Sequence, residues 1–139
     1  MSLLNAFKVA GTAMQAQSQR LNTVSSNIAN VETAAANPDD VYKPRKVVFQ
    51  AELQKATLND PGLAQRVSVK EVIAQDVPAR QVYDPKHPLA DDQGYVYMPN
   101  INPVEEMVDM ISASRNYQTN SEVMNTAKAL MLKTINMGQ

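Results

Sequence analysis

The sequence predicts a mainly α-helical protein with a small β-rich insertion, its long N- and C-terminal helices pairing as an antiparallel coiled coil. Three observations carry this reading. All eight prolines of the 139-residue chain fall between Pro38 and Pro103, and proline breaks helix interiors. On either side of that interval apolar residues recur at seven-residue spacing, the period of a helix-pairing seam. Within it, short alternating apolar runs are separated by turn-forming residues, as in strands. The divisions are an N-terminal helical arm over 1–37, a β-rich middle over 38–103 and a C-terminal helical arm over 104–139.

In the first arm Phe7, Met14, Leu21 and Ile28 form one seven-residue series, and Leu3, Ala10, Gln17, Val24 and Val31 form its companion. Together they predict a helix over 3–31, about 40 Å long at about 1.5 Å per residue. The opposite face is unusual. Residues 1–33 carry only Lys8, Arg20 and Glu32 as charges, and Gln15, Gln19, Asn22, Ser25, Ser26, Asn27 and Asn30 stand where a solvated helix has Lys and Glu. Uncharged polar groups are buried against other helices at lower cost than charges. The plainer alternative is an amphipathic helix lying on its own domain; the low charge favours a helix with neighbours on several sides.

The last arm carries its own boundary signals. Asn102 suits an N-cap, Pro103 the first helical position, and Glu105 the acidic place of a capping box. Glu105, Glu106 and Asp109 lie at the positive end of the helix dipole, Lys128 and Lys133 towards the negative end, and Gly138 is a stop signal. Met110, Tyr117, Met124 and Met131 repeat every seven residues, with Ala113, Asn120 and Ala127 as companions. Small residues beside Met allow close, adaptable packing. A methionine stripe at helical spacing is core or partner surface, and no cofactor is read into it.

In the middle, Val47, Phe49, Ala51 and Leu53 alternate, as do Val67 and Val69 before Val72 and Ile73; Val82-Tyr83 and Tyr95-Val96-Tyr97-Met98 suggest two further strands. Asn59-Asp60-Pro61-Gly62 and Asp91-Asp92-Gln93-Gly94 are turn sequences.

Composition excludes several function classes. A net charge of −1 implies no basic surface for nucleic acid. Without cysteine there is no disulfide framework, thiolate nucleophile or ordinary structural zinc. No apolar run reaches the roughly 18–20 residues that span a bilayer, and the N-terminus does not read as a cleavable signal. Leu, Ile, Val and Phe total 31 against 23 Asn plus Gln, an apolar share near the limit for building an independent core. Such a chain borrows stability from partners. Asp39-Asp40 and Asp91-Asp92 are paired carboxylates in turn sequences, His87 is a lone histidine between Lys86 and Pro88, and four scattered glycines make no phosphate loop. No catalytic, metal or cofactor site is expected.

The segment Ser18-Gln19-Arg20-Leu21-Asn22, followed by Ser26-Asn27-Ile28-Ala29-Asn30-Val31-Glu32-Thr33, resembles the N-terminal signature of bacterial flagellar axial (rod and hook) proteins. The stretch Gly94-Tyr95-Val96-Tyr97-Met98-Pro99-Asn100-Ile101-Asn102 is more specific. With Val104 to Ile111, Ser112-Ala113-Ser114-Arg115-Asn116-Tyr117-Gln118, Asn120, Glu122 to Asn125 and Leu130 to Thr134, it is similar to the C-type rod proteins of the flagellar basal body's proximal rod. The resemblance covers essentially the whole chain. One departure stands out: the general signature continues to a Gly-Tyr pair, whereas here Ala34 to Asp40 intervene before Val41-Tyr42-Lys43.

The resemblance implies a non-enzymatic structural subunit whose terminal helices line a tube around the export channel, the assembled rod transmitting torque. It implies other rod proteins, copies of itself, the MS ring and the export apparatus as partners. It also implies the basal body as location, reached through the flagellar type III apparatus without a cleaved signal. Neither nucleic acid, membrane insertion nor a small-molecule substrate belongs to this picture. The expected assembly residues are Leu3, Phe7, Met14, Leu21, Val24, Asn27, Ile28 and Asn30 on the first arm, with Met110, Tyr117, Asn120, Met124, Ala127 and Met131 on the last. The arms are expected to be poorly ordered in the free subunit. Alternatives are another axial subunit (distal rod or hook adapter), marked by a longer middle, and a small periplasmic wall-cleaving enzyme using Asp91 and Asp92.

Overall fold

The proline-free ends form two long helices in a computed structural model that describes residues 3–53 and 65–137. Helix α1 spans Leu3–Ala29 and helix α2 spans Pro103–Met137. Strands β1 (Arg45–Leu53) and β2 (Gln65–Ala74) form one antiparallel pair, and β3 (Arg80–Tyr83) and β4 (Tyr95–Met98) another. The middle is therefore two separate two-stranded ladders, not one sheet. The expected Asn59 to Gly62 turn and the Gly138 stop lie outside the described residues.

Helix α1 ends two residues before the heptad pattern does. The Asn30 N–H is shared between the Ser26 and Asn27 carbonyls, and the Val31 and Thr33 N–H groups reach back only three residues, to Ile28 and Asn30. The Asn30 side chain also donates to the Ser26 carbonyl at 2.8 Å, giving that carbonyl a second bond at the helix end. At the start of α2 the Asn102 carboxamide oxygen accepts the Val104 N–H at 3.1 Å, the N-cap expected from sequence. A 3₁₀ turn, Pro38–Asp40, precedes the chain's entry into β1.

The β1–β2 register runs from Arg45 opposite Ala74 to Leu53 opposite Gln65, with a bulge between Val48 and Phe49 that leaves Lys70 as the extra residue. In the shorter ladder Arg80 faces Met98 and Tyr83 faces Tyr95, whose rings meet edge to face, 5.3 Å between centroids. Its connection is closed by Asp91: one carboxylate oxygen accepts the Gln93 and Tyr95 N–H groups at 2.9 and 2.8 Å. Gly94, at φ +81°, occupies a conformation that favours glycine. The Ala34 to Asp40 departure has a structural use, because Ala35 and Tyr97 exchange backbone hydrogen bonds of 2.8 and 3.1 Å. That bridge attaches the exit of α1 to β4.

α1 and α2 pack against each other, and β1 and β2 pack on α1. The helices run antiparallel: Asn27 meets Glu106, Arg20 meets Asp109, and a Cβ on Gly11 would lie 3.5 Å from Met124 Cε. Leu3 and Ala6 line the same groove as Ala127 and Leu130. The buried apolar residues are small: Ala10, Ala16, Val24, Val41, Val96, Ala113 and Ala127. The chain exposes 9838 Å², against about 7,100 Å² for a compact 15 kDa monomer. Much of its apolar surface remains unburied.

Candidate functional site

A dense group of side-chain hydrogen bonds lies at the base of the two-helix arm, where the β1–β2 hairpin begins. Asn27, on the last turns of α1, is 1% exposed. Its side-chain nitrogen donates to the Arg45 carbonyl at 2.8 Å and to Glu106 Oε2 at 3.1 Å. Its oxygen accepts the Arg45 N–H and the Tyr42 hydroxyl, both at 3.0 Å. The Arg45 guanidinium lies 5.9 Å from the Tyr42 ring centroid, within cation–π range. One turn towards the N-terminus of Val24, Arg20 pairs with Asp109 at 2.7 Å. Two of the three acids at the start of α2 thus bind α1 residues. Glu106, read from sequence only as a dipole partner, is 8% exposed; nothing in the linear pattern separates it from Glu105, which stays exposed.

Of the expected assembly residues on the first arm, Val24 and Asn27 are buried, Phe7, Met14, Leu21, Ile28 and Asn30 are half-buried, and Leu3 is exposed. On α2, Ala127 is buried, Met110, Asn120, Met124 and Met131 are half-buried, and Tyr117 is exposed at its rim. Ala113, a companion residue, is fully buried. Residues 106, 113, 120 and 127 form a small or polar line with the larger Met series beside it. A second face of α1, with Thr12, Gln15, Ala16 and Gln19, lines a cleft against Arg66 to Val69 of β2. Low charge on α1 could have signalled this second contact.

α2 is apolar on more than one side. Val104, Met107, Val108 and Ile111 are exposed near its start, and Leu130, Leu132, Ile135 and Met137 near its end. Exposed apolar residues clustered in this way mark an interaction face.

Asp91 organises its turn, His87 accepts the Leu89 N–H through Nδ1, and Asp39 and Asp40 are exposed. Among the described residues no group of acidic or histidine side chains could hold a metal, and no helix is long and apolar enough to cross a membrane. Lys43 and Asp76 form an exposed ion pair of 2.7 Å. Its hydrogen bond and charge attraction hold the Asp76 carboxyl below its ordinary range and the Lys43 ammonium above its own.

Comparison with known proteins matches both arms. Residues 7–36 fit the model described as "Flagella basal body rod protein", and residues 92–137 fit "Flagellar basal body rod FlgEFG protein C-terminal". The flagellar basal-body rod protein FlgC of Escherichia coli O6:H1 is 48% identical over 140 residues, covering all of both chains. The chain belongs to the FlgC family of flagellar basal-body rod proteins. The FlgC proteins of Salmonella typhimurium and Borreliella burgdorferi are 47% and 37% identical, the latter over 94% of this chain and 93% of its own. These relatives are named flagellar basal-body rod proteins, and this chain is a structural rod protein of the flagellar basal body, not an enzyme. The signature residues that carried the resemblance include Asn27 and Asn30, one at the joint between arm and hairpin and the other closing α1.

Proposed function

We propose that the subunit polymerises through its terminal helices, with copies of itself and other rod proteins, into the tubular proximal rod that encloses the export channel and transmits torque. The two arms act as a coiled-coil pair, with the Phe7 and Met124 series at its seam. The basal-body MS ring and export apparatus are its neighbours during assembly, and the chain leaves the cytoplasm through the flagellar type III apparatus. One observation carries this reading. The paired helices bury small residues between them, yet leave Val104, Met107, Val108 and Ile111, and Leu132, Ile135 and Met137, facing outwards. A single chain has no use for that surface; a tube in which each helix touches several others buries it.

The test is Met124→Asp, which sets an unpaired charge in the seam. Quantified in purified basal bodies, the variant is expected to fall by about tenfold or more, while its export into the medium stays normal. Normal amounts in basal bodies would overturn the proposed seam.

A further inference from the structure

We propose that Asn27 is a positioning residue that couples the two-helix arm to the β1–β2 hairpin, making the base of the arm and the root of the hairpin one body in the free subunit. The inference rests on the fold alone and stands apart from the assembly reading.

A primary amide offers two N–H donors and two acceptor lone pairs. Asn27 uses all four: donors to the Arg45 carbonyl and Glu106, acceptors for the Arg45 N–H and the Tyr42 hydroxyl. The assignment of its nitrogen and oxygen is forced by the partners, since reversing them would turn the amide nitrogen towards the Arg45 N–H and its oxygen towards the Glu106 carboxylate. The two bonds to Arg45 have the form of a hydrogen-bonded pair in an antiparallel ladder, where facing residues exchange N–H and C=O. A helical side chain therefore acts as a strand would, gripping the first residue of β1 while Ala74 faces that residue from β2. The fourth bond brings in α2. Two distant segments, the start of α2 and the stretch leading into the hairpin, converge on a single buried carboxamide of α1.

Neither aspartate nor alanine fills this role. Aspartate would present no donor to the Arg45 carbonyl and would set a second carboxylate against Glu106. Alanine would strand the partners of all four bonds. The β3–β4 ladder meets the exit of α1 through the backbone bonds of Ala35 and Tyr97, which supplies an internal control.

The experiment is native-state hydrogen exchange on the purified full-length chain, comparing the Arg45 and Tyr97 amides. In Asn27→Ala the Arg45 amide is expected to exchange about tenfold faster or more, as loss of a buried bond implies, while Tyr97 stays within about twofold. Asn27→Asp is expected to behave at least as badly. Adding Glu106→Gln returns a donor to the new carboxylate, so the double variant should recover part of the protection. Should neither Asn27 variant fold, Glu106→Ala, which removes one of the four bonds, is expected to raise Arg45 exchange several-fold and selectively. Parent-like Arg45 exchange in the alanine variant that folds would overturn the proposal. So would equal acceleration of Arg45 and Tyr97, or a double variant no better than Asn27→Asp.

Discussion

At the base of the arm, Asn27 and Arg20 of α1 bind Glu106 and Asp109 of α2 through short, directed bonds. At the far end, Leu3 of α1 lies beside an α2 that runs on with Leu130, Leu132, Ile135 and Met137, all exposed. One end has its polar groups matched within the chain; the other presents apolar area that the chain alone leaves in water. Directed bonds fix register and orientation without needing a neighbour. Exposed apolar surface fixes no geometry by itself, but gains free energy as soon as another surface covers it. The difference separates two tasks along one pair of helices: directed bonds specify folding at the base, while association is left to apolar surface that dominates the tip and continues on the outer side of the base at Val104, Met107, Val108 and Ile111.

The sharpest way to break this comparison is at the tip. Replacing Leu132 and Ile135 together by Ser is expected to change the unfolding free energy of the purified chain by no more than about 0.5 kcal/mol, as for other surface substitutions. The same variant should enter basal bodies at about one-tenth of the normal amount, because burying each large apolar side chain is worth about 1.5–3 kcal/mol. Denaturant unfolding and quantitative blotting of basal bodies check the two halves. A large loss of stability without loss of incorporation would reverse the assignment.

Midway along the arm, Gly11 offers a smaller test. A Cβ there meets only the flexible end of Met124, at 3.5 Å, an ordinary contact. Gly11→Ala should therefore stabilise the free chain by about 0.5–1 kcal/mol through helix propensity. A rise in the denaturation midpoint would show that α1 is already helical there before assembly, against the expectation of poorly ordered arms.

The smallest effect is expected from Lys43 and Asp76, outside the arm. Asp76 is held below its ordinary carboxyl range, so what it adds to stability is present at neutral pH and fades as pH falls through that lowered value. Lys43 is raised, so its share is present below the ordinary lysine range and is lost as pH rises through the raised value. Both groups are exposed, and such pairs contribute little. Asp76→Asn should leave thermal unfolding at neutral pH unchanged within error, in contrast to any substitution at Asn27.

Much of the fold could be read from the chain itself. The proline distribution determined where helices were possible, Asn102 and Pro103 set the start of α2, and Asp91 with Gly94 set a turn, because each acts through bonds within a few residues. The matched β3 and β4 runs were visible for the same reason. The tip of the arm was legible too, as apolar residues recurring on a helix. The joint was not. Asn27 and Glu106 are 79 positions apart, and in sequence they are one amide among many and one acid of three at a helix start. That Asn27 grips Arg45, that Glu106 rather than Glu105 turns inwards, and that the middle divides into two ladders depend on which surfaces meet when the helices close antiparallel. Local chemistry determined the elements. Only the tertiary structure decided which polar groups found partners, because a hydrogen bond between distant residues depends on positions that neither residue sets alone.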